Sequence, residues 1–294
     1  VQRADDHALA ARIAEDAGRV LVGLRGSPGD TPFTGTELGR QGDRRSHELI
    51  VAALAAARPG DAVRSEEAVA ARAPSAGAGP GAGGRPDGAA RVWVVDPLDG
   101  TREYAEGRAD FAVHVALVVG ADPVVGAVAL PAEGLVFATA DPAGDPATIG
   151  PAGDPATIGP AGDPATIPAG DHPFAVAALA PRADGALRVA VSRTRPPVEA
   201  QRLASRLGAE LVPMGSAGVK VMAVVRGHVD AYVHGGGQYE WDSAAPVAVA
   251  RAHGAHASRL DGSPLRYGRP DPWLPDLLVC RPELLDTIID ALGR

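Results

Sequence analysis

Arg91-Val92-Trp93-Val94-Val95-Asp96-Pro97-Leu98-Asp99-Gly100-Thr101 is the stretch from which this chain is best read. Its first five residues favour a strand, the strand ends on a carboxylate, and Pro97 fixes φ at the next residue. The spacing predicts a tight turn that brings Asp96 and Asp99 onto one side. Two hard carboxylates so placed suit Mg2+, which takes oxygen ligands and keeps waters that a phosphate can replace. Gly100 lets a ligand approach the backbone, and Thr101 offers a hydroxyl and an amide. Taken alone, the hexapeptide is also compatible with an Asp/Pro/Gly turn that binds nothing.

Two further acidic points change that balance. Ser65-Glu66-Glu67 closes the preceding predicted strand, and Trp241-Asp242-Ser243-Ala244-Ala245 stands at a strand-to-helix junction with Asp242 expected as the N-cap. Paired glutamates commonly lie on a solvated face, and an Asp at an N-cap is commonly only a cap. Together, however, they put four carboxylates at the ends of adjacent elements, where clustering is unfavourable unless cations are bound.

The chain has 294 residues, 46% of them apolar, enough for one large α/β domain or two smaller ones with hydrophobic cores. With 28 basic and 36 acidic residues, a net charge of −8 and no basic run, it lacks the footprint that phosphate-backbone binding needs, so no nucleic-acid partner is expected. The single cysteine, Cys280, can form no internal disulfide and no thiolate metal site, and reads as a buried strand residue of a protein in a reducing compartment. Charges at Arg3, Asp5, Asp6, Arg12 and Glu15 interrupt any signal-peptide core. The longest apolar stretch, Phe111 to Leu130, is broken by His114, Gly120, Asp122 and Pro123, so no membrane span is expected and the location expected is cytoplasmic. The eight histidines show no zinc spacing, and Gly235-Gly236-Gly237 is followed by no Lys-Ser/Thr, so neither zinc chemistry nor a Walker loop is supported.

Helical spacing of Leu9, Ile13, Ala17, Val20, Leu21 and Leu24 behind Asp5 and Asp6 predicts an opening helix, and a second runs from about Arg44 to Ala57. Short strands follow at Ala62–Ser65 and Arg91–Val95. Residues 71–90 between them are nearly all Ala, Gly and Pro, and read as a mobile loop. Phe111–Val119, Val124–Leu130 and Leu135–Ala138 predict an antiparallel meander. The unit Ala-Gly-Asp-Pro-Ala-Thr-Ile-Gly-Pro then begins at Ala143 and Ala152, and its first seven residues recur at Ala161. It lacks the Gly-Gly-x-Gly-x-Asp of a calcium-binding β-roll, and reads as an expanded surface loop. From Leu187 strands and helices alternate: Leu187–Val191, helix Val198–Leu207, Leu211–Val212, helix Ala217–Arg226, Val229–Val233, helix Ser243–Ala252. This is α/β wiring. The division expected is an N-terminal α+β lobe over 1–180, with insertions at about 71–90 and 143–171, and a C-terminal α/β lobe over 181–294.

The order Ser65-Glu66-Glu67, Trp93 through Thr101, and Trp241 through Ala245 resembles the magnesium-dependent, lithium-sensitive phosphomonoesterases of the inositol monophosphatase superfamily. Asp99-Gly100-Thr101-Arg102-Glu103-Tyr104 is similar to the Asp-Gly-Thr-(Lys/Arg)-Glu-Phe of its 3'(2'),5'-bisphosphate nucleotidases, where inositol phosphatases usually carry Asn in place of Glu. Gly215 to Lys220, Gly236 to Pro246 and Ser258 to Tyr267 look like the actinobacterial branch of that type. The resemblance implies a layered αβαβα sandwich of the inositol monophosphatase and fructose-1,6-bisphosphatase type. It implies that Glu66, Asp96, the Leu98 carbonyl, Asp99 and Asp242 hold two or three Mg2+ ions. Thr101 and a carboxylate of the second helix would orient the attacking water. Asp43 is the candidate for that carboxylate, although its surroundings depart from the family's Ser-Pro-Val-Thr-x-Ala-Asp.

Beyond the metals, Gly100, Thr101, Arg102, Ser192, Arg193, Ser216 and Lys220 are candidate substrate contacts. A second phosphate needs its own donors. Gly215-Ser216-Ala217-Gly218 opens a helix whose first turn contains Lys220, the chain's single lysine, so amides, a hydroxyl and an ammonium could converge there on an anion. Ser192-Arg193-Thr194-Arg195 resembles the family's nucleotide-contacting Ser-Arg-Ser-His, with Arg195 in place of His. Arg102 either grips phosphate or pairs with Glu103. Tyr232 to Gly237 holds no carboxylate where inositol phosphatases commonly place one for sugar hydroxyls. The expected activity is Mg2+-dependent hydrolysis of adenosine 3',5'-bisphosphate to AMP and phosphate, extending to the 3'-phosphosulfate precursor. The same-class alternative is an inositol or fructose phosphate phosphatase, and the alternative of another class is a catalytically silent metal-binding regulatory protein. The expected partner is a small nucleotide substrate, with the oligomeric state open and a homodimer among the options.

Overall fold

The computed structural model describes residues 2–26, 33–66, 91–139, 147–149, 179 and 185–293. Helix α1 (Gln2–Arg25) buries the expected face of Leu9, Ile13, Ala17 and Leu21. It begins before Asp5 and Asp6, so these are not its caps. Asp6 is instead fully buried and accepts hydrogen bonds from Arg58 Nε at 2.7 Å and Arg91 Nη2 at 3.0 Å. Helix α2 (Gly35–Ala57) also starts earlier than expected, because its first inward positions are Leu38, Gly39 and Gly42 and show little apolar periodicity. A Cβ at Gly42 would lie 2.8 Å from the Tyr104 ring. The glycine is what lets that ring pack against α2.

Strand β1 (Ala62–Ser65) pairs in parallel with β2 (Arg91–Asp99), which continues well past Val95. The expected tight turn after Val95 is instead a bulge: Asp96 lies opposite His114 and Asp99 opposite Ala112, so β2 spends one residue more than its partner strand between them. Gly100, at φ 90°, then turns the chain into α3 (Thr101–Ala105). The meander follows as expected: β3 (Ala112–Val119), β4 (Asp122–Leu130) and β5 (Leu135–Ala138) are antiparallel. Within the first copy of the repeat, β6 (Ala147–Ile149) pairs antiparallel with β5, which corrects the reading of that copy as pure loop.

The later elements are β7 (Arg188–Ser192), α4 (Val198–Leu207), β8 (Glu210–Met214), α5 (Ala217–Val225), β9 (Ala231–Tyr239), α6 (Glu240–Ala252), β10 (His256–Ser258), β11 (Trp273–Cys280) and α7 (Leu285–Leu292). From β7 to α6 the order and type are those expected, with β9 and α6 displaced, while the expectations from sequence include no element at β10 or α7 and, at β11, only Cys280 as a strand residue. Strand β9 runs through the three glycines to Tyr239, and α6 begins at Glu240. Asp242 is therefore not the N-cap but stands inside the first turn, where its carboxylate reaches back to the Tyr239 N–H at 2.6 Å.

One sheet has the order β1-β2-β3-β4-β5-β6, the other β10-β11-β9-β7-β8. Trp93, Val95, Val113 and Val115 face α1 and α2, while their neighbours Val92, Val94, Ala112 and Ala116 face α5 and α6. The first sheet is thus apolar on both faces. Tyr232, Leu277 and Val279 of the second sheet close the middle core from the other side, and Val191, Val233 and Leu278 pack against α4 and α7. The layers run α1α2, sheet, α5α6, sheet, α4α7, the αβαβα sandwich that was expected. Cys280 is buried in β11, and burial pushes its thiol up to about 12, unsuited to nucleophilic work. Among the described residues no helix is long and apolar enough to cross a membrane.

The Ala/Gly/Pro segment 71–90, the second and third repeat copies and the 180/181 lobe boundary lie outside the described residues. Each copy brings Pro and Gly but one Ile and no aromatic, so it gains little from burial. The expectation from sequence that these copies are surface loop predicts that deleting residues 152–168 leaves activity and melting temperature almost unchanged, because loop length costs only about 0.6 kcal/mol per doubling. Assay and thermal melting of the shortened chain check this. A large loss of activity would mean that the repeat closes over the substrate or mediates assembly.

Candidate active site

The bulge in β2 and the first turn of α6 bring Asp96, Asp99 and Asp242 together, with one oxygen of each within 4.8 Å of the others. Asp96 is 2% exposed, and its Oδ1 accepts from the Leu98 N–H at 3.0 Å. Burial, then the charges of Asp99, Asp242, Glu66 and Asp43, raise its pKa well above the ordinary carboxylate range. Burial likewise pushes Asp242 up to about 7, with Asp99 and Glu66 adding to the rise and the Tyr239 N–H and Lys220 opposing it. Glu66, exposed just beyond β1, and Asp43, half-buried on α2, are thus close enough to act on the same centre. Of the five acids picked out in the sequence, Asp96, Asp99 and Asp242 meet, while Glu66 and Asp43 stand outside that group and act on it by charge.

The Leu98 carbonyl accepts from the Thr101 hydroxyl at 2.9 Å, and Ser46 Oγ donates to the neighbouring Pro97 carbonyl at 2.7 Å. Both bonds tie the bulge to its surroundings. At Gly100, with φ 90°, an added Cβ would also press to 3.1 Å from the Asp110 carbonyl oxygen, so the position favours glycine on both counts.

The N-terminus of α5 is engaged differently from expectation. Asp99 Oδ2 accepts hydrogen bonds from Ser216 Oγ and from the Gly218 N–H, the latter at 2.7 Å, so the free amides there meet a carboxylate of the cluster. Lys220 is 5% exposed, and its Nζ donates to the carbonyls of Ser216 at 2.7 Å and Gly215 at 3.1 Å. Burial lowers its pKa while Asp99 and other nearby carboxylates oppose that. Ser192 lines the cavity beside the cluster, and its Oγ accepts from the Arg195 N–H at 3.3 Å. Arg193 is turned onto Asp110, with Glu103 at 3.7 Å. Arg102 pairs with Glu106 at 2.9 Å, not with Glu103, because the residue four positions on faces it along α3; it also lines the cavity.

Two residues at the site were not picked out in the sequence. Asp110 accepts from the Gly215 N–H at 2.7 Å as well as from Arg193, and so fixes the entry to α5. His114, fully buried on β3, donates from Nδ1 to the Trp241 carbonyl and holds Nε2 3.3 Å from Asp99 Oδ2. Burial lowers its pKa. A polar residue in the apolar run Phe111–Val119 is the one signal the sequence offered.

Asp99 and Asp242 open into a cavity of about 760 Å3, walled also by Arg195, Tyr232, His234, Tyr239 and Trp273. That volume suits a nucleotide-sized ligand. The donor set at its floor is entirely oxygen, crowded and desolvated, and fits a hard divalent cation.

The profile described as the inositol monophosphatase family matches residues 6–292. A Mycobacterium bovis protein named 3'-phosphoadenosine 5'-phosphate phosphatase is 46% identical over 285 residues, covering 95% of this chain and 90% of that one. A Mycobacterium leprae protein of the same name is 43% identical, covering 98% and 93%. Among solved structures, CysQ from Bacteroides thetaiotaomicron superposes with a TM-score of 0.74 at 24% identity, over 95% of this chain and 98% of that one, a likeness of fold.

Proposed function

Because the chain belongs to the inositol monophosphatase family, we propose that it is a Mg2+-dependent phosphomonoesterase that converts adenosine 3',5'-bisphosphate to AMP and phosphate. The observation that carries this reading is the cavity itself, lined by Asp99 and Asp242 of the carboxylate cluster and also by Arg195 and Lys220. One end suits a cation-bound phosphate and the other a second phosphate. The names of the mycobacterial relatives support the same substrate.

In this reading Glu66, Asp96, the Leu98 carbonyl, Asp99 and Asp242 would hold two or three Mg2+ ions. A cation held there would lower the pKa of water and offset the charge of the phosphate oxygens. Asp43 accepts a proton from the attacking water, and Thr101 Oγ1, held by its bond to the Leu98 carbonyl, orients it. Ser216 and the Gly218 N–H keep Asp99 aimed at the cavity. Gly100 leaves space for the phosphate, while Arg102, Arg193 and Ser192 belong to the rim that receives the rest of the substrate. The ammonium of Lys220, fixed on two carbonyls, supplies positive potential to that rim without needing to move. The substrate is a small molecule of the cytoplasm, and the 3'-phosphosulfate precursor fits the same groups.

Phosphate release from adenosine 3',5'-bisphosphate, inositol 1-phosphate and fructose 1,6-bisphosphate at equal concentration tests the proposal. Preference for the nucleotide, loss of activity on chelation and inhibition by lithium are expected. Preference for inositol phosphate would assign the chain to the other activity of its family, and no turnover by folded, metal-loaded protein would favour a regulatory role.

A further inference from the structure

Among the described residues four large hydrophobic side chains are exposed: Val22, Val198, Tyr239 and Trp273. The two aromatic ones share a place. Tyr239 and Trp273 are opposite each other in the antiparallel pairing of β9 with β11, and both line the cavity that holds the carboxylates. They are 47% and 45% exposed, an unusual state for rings of that size.

Each ring is also fixed from behind. Tyr239 stacks on the buried Trp241, with centroids 4.8 Å apart and planes 11° from parallel. The Trp273 indole lies on Gly237, where an added Cβ would come 2.6 Å from its Nε1, so a side chain at 237 would displace it. Gly237 has φ 91°, a conformation glycine adopts at no steric cost. The Tyr239 N–H is bonded to Asp242, which sets the wall at a fixed offset from the carboxylate cluster. Exposed rings held in place this way have lost little further freedom to give up on binding.

We propose that Tyr239 and Trp273 form an aromatic wall for the base of the nucleotide, and that this pair makes the enzyme select nucleotides over phosphate esters without a base. The inference rests on the nucleotidase reading above. Every nucleobase has a π-face that can stack on such rings, whereas inositol and glycerol phosphates have none. A wall of this kind tightens binding of the part of the substrate remote from the reacting phosphate. It therefore acts on KM, and on the ratio between substrates, more than on kcat.

The test uses the full chain loaded with Mg2+, and reads the ratio of kcat/KM for adenosine 3',5'-bisphosphate to kcat/KM for glycerol 2-phosphate. In Trp273→Leu and in Tyr239→Leu the ratio is expected to fall about tenfold or more, mainly through KM for the nucleotide. Trp273→Phe, which restores a ring, is expected to recover most of it. Calorimetric binding of AMP is expected to weaken in the two Leu variants by a similar factor and to recover with Phe. Tyr239→Leu stands as an independent arm if Trp273→Leu does not fold. An unchanged ratio with unchanged AMP affinity in folded Leu variants overturns the aromatic wall while the nucleotidase reading survives. A wild-type enzyme that prefers inositol 1-phosphate overturns both.

Discussion

Asp96→Asn and Asp242→Asn are each expected to lower turnover by roughly a thousandfold or more, while the chelated proteins are expected to melt at or above the chelated wild type. The two effects have one cause. Asp96, Asp99 and Asp242 crowd together, with the charges of Glu66 and Asp43 acting on Asp96 as well, so that Asp96 and Asp242 are both held above their ordinary pKa by desolvation and mutual repulsion. Without metal, an amide relieves that repulsion. It can also keep the local bonds, since its oxygen still accepts from the Leu98 or Tyr239 N–H. With metal, the same substitution removes a charge that the cation needs. Mg2+ should therefore raise the melting temperature of the wild type, by linkage, and raise that of either variant far less. Thermal melts with and without Mg2+, run beside the phosphate-release assay, check both halves. Near-normal activity at modest Mg2+ would remove the residue concerned from the ligand set, and a lower melting point in chelator would show that the cluster is not under repulsive strain.

These acids could be read from the sequence because they stand at the ends of elements with strong patterning. Arg91–Val95 is a clear strand, and the carboxylates that follow it have nowhere to go but the strand's end. The details failed where glycine or a distant partner decides the geometry. Gly39 and Gly42 occupy inward positions of α2, so its first turns carry no apolar stripe, although Gly42 is what admits Tyr104. Gly235 to Gly237 weaken the pattern of β9, yet the strand passes through them by its pairing with β11, and at Gly237 Trp273 packs where a side chain would stand. Asp99 reads as a turn residue, but a register shift against β3 places it. Asp6 reads as a cap until two guanidinium groups from distant segments are seen to claim it. Asp110 carried no local signal, and His114 only that of a polar residue in an apolar run, because their bonds to Gly215 and Trp241 span more than a hundred residues of chain.

One such long-range contact has a large expected effect. Arg64 lies in β1 just before Ser65 and Glu66, and Glu240 opens α6 two residues before Asp242. Arg64 Nη1 donates to Glu240 Oε1 at 2.6 Å and to the Arg269 carbonyl at 2.7 Å, while the Gly268 N–H donates to Glu240 Oε2 at 2.8 Å. Both side chains are buried, at 7% and 1% exposure. Such a pair contributes little net stability against an apolar substitute, but removing one partner strands the other's charge away from water. Arg64→Ala is expected to cost about 3–5 kcal/mol in urea unfolding of the chelated protein, with Arg64→Ala/Glu240→Gln costing clearly less because the stranded charge is gone. A cost below about 1 kcal/mol for the single variant would show that water or a shifted cation replaces Arg64. The same bond spans the two segments that present Glu66 and Asp242 to the cluster. Its loss should also raise the Mg2+ concentration needed for half-maximal activity, and in the double variant that requirement should stay raised even as stability recovers. Recovery of both together would make the pair a purely structural brace, whereas recovery of stability alone ties it to the placing of the carboxylates.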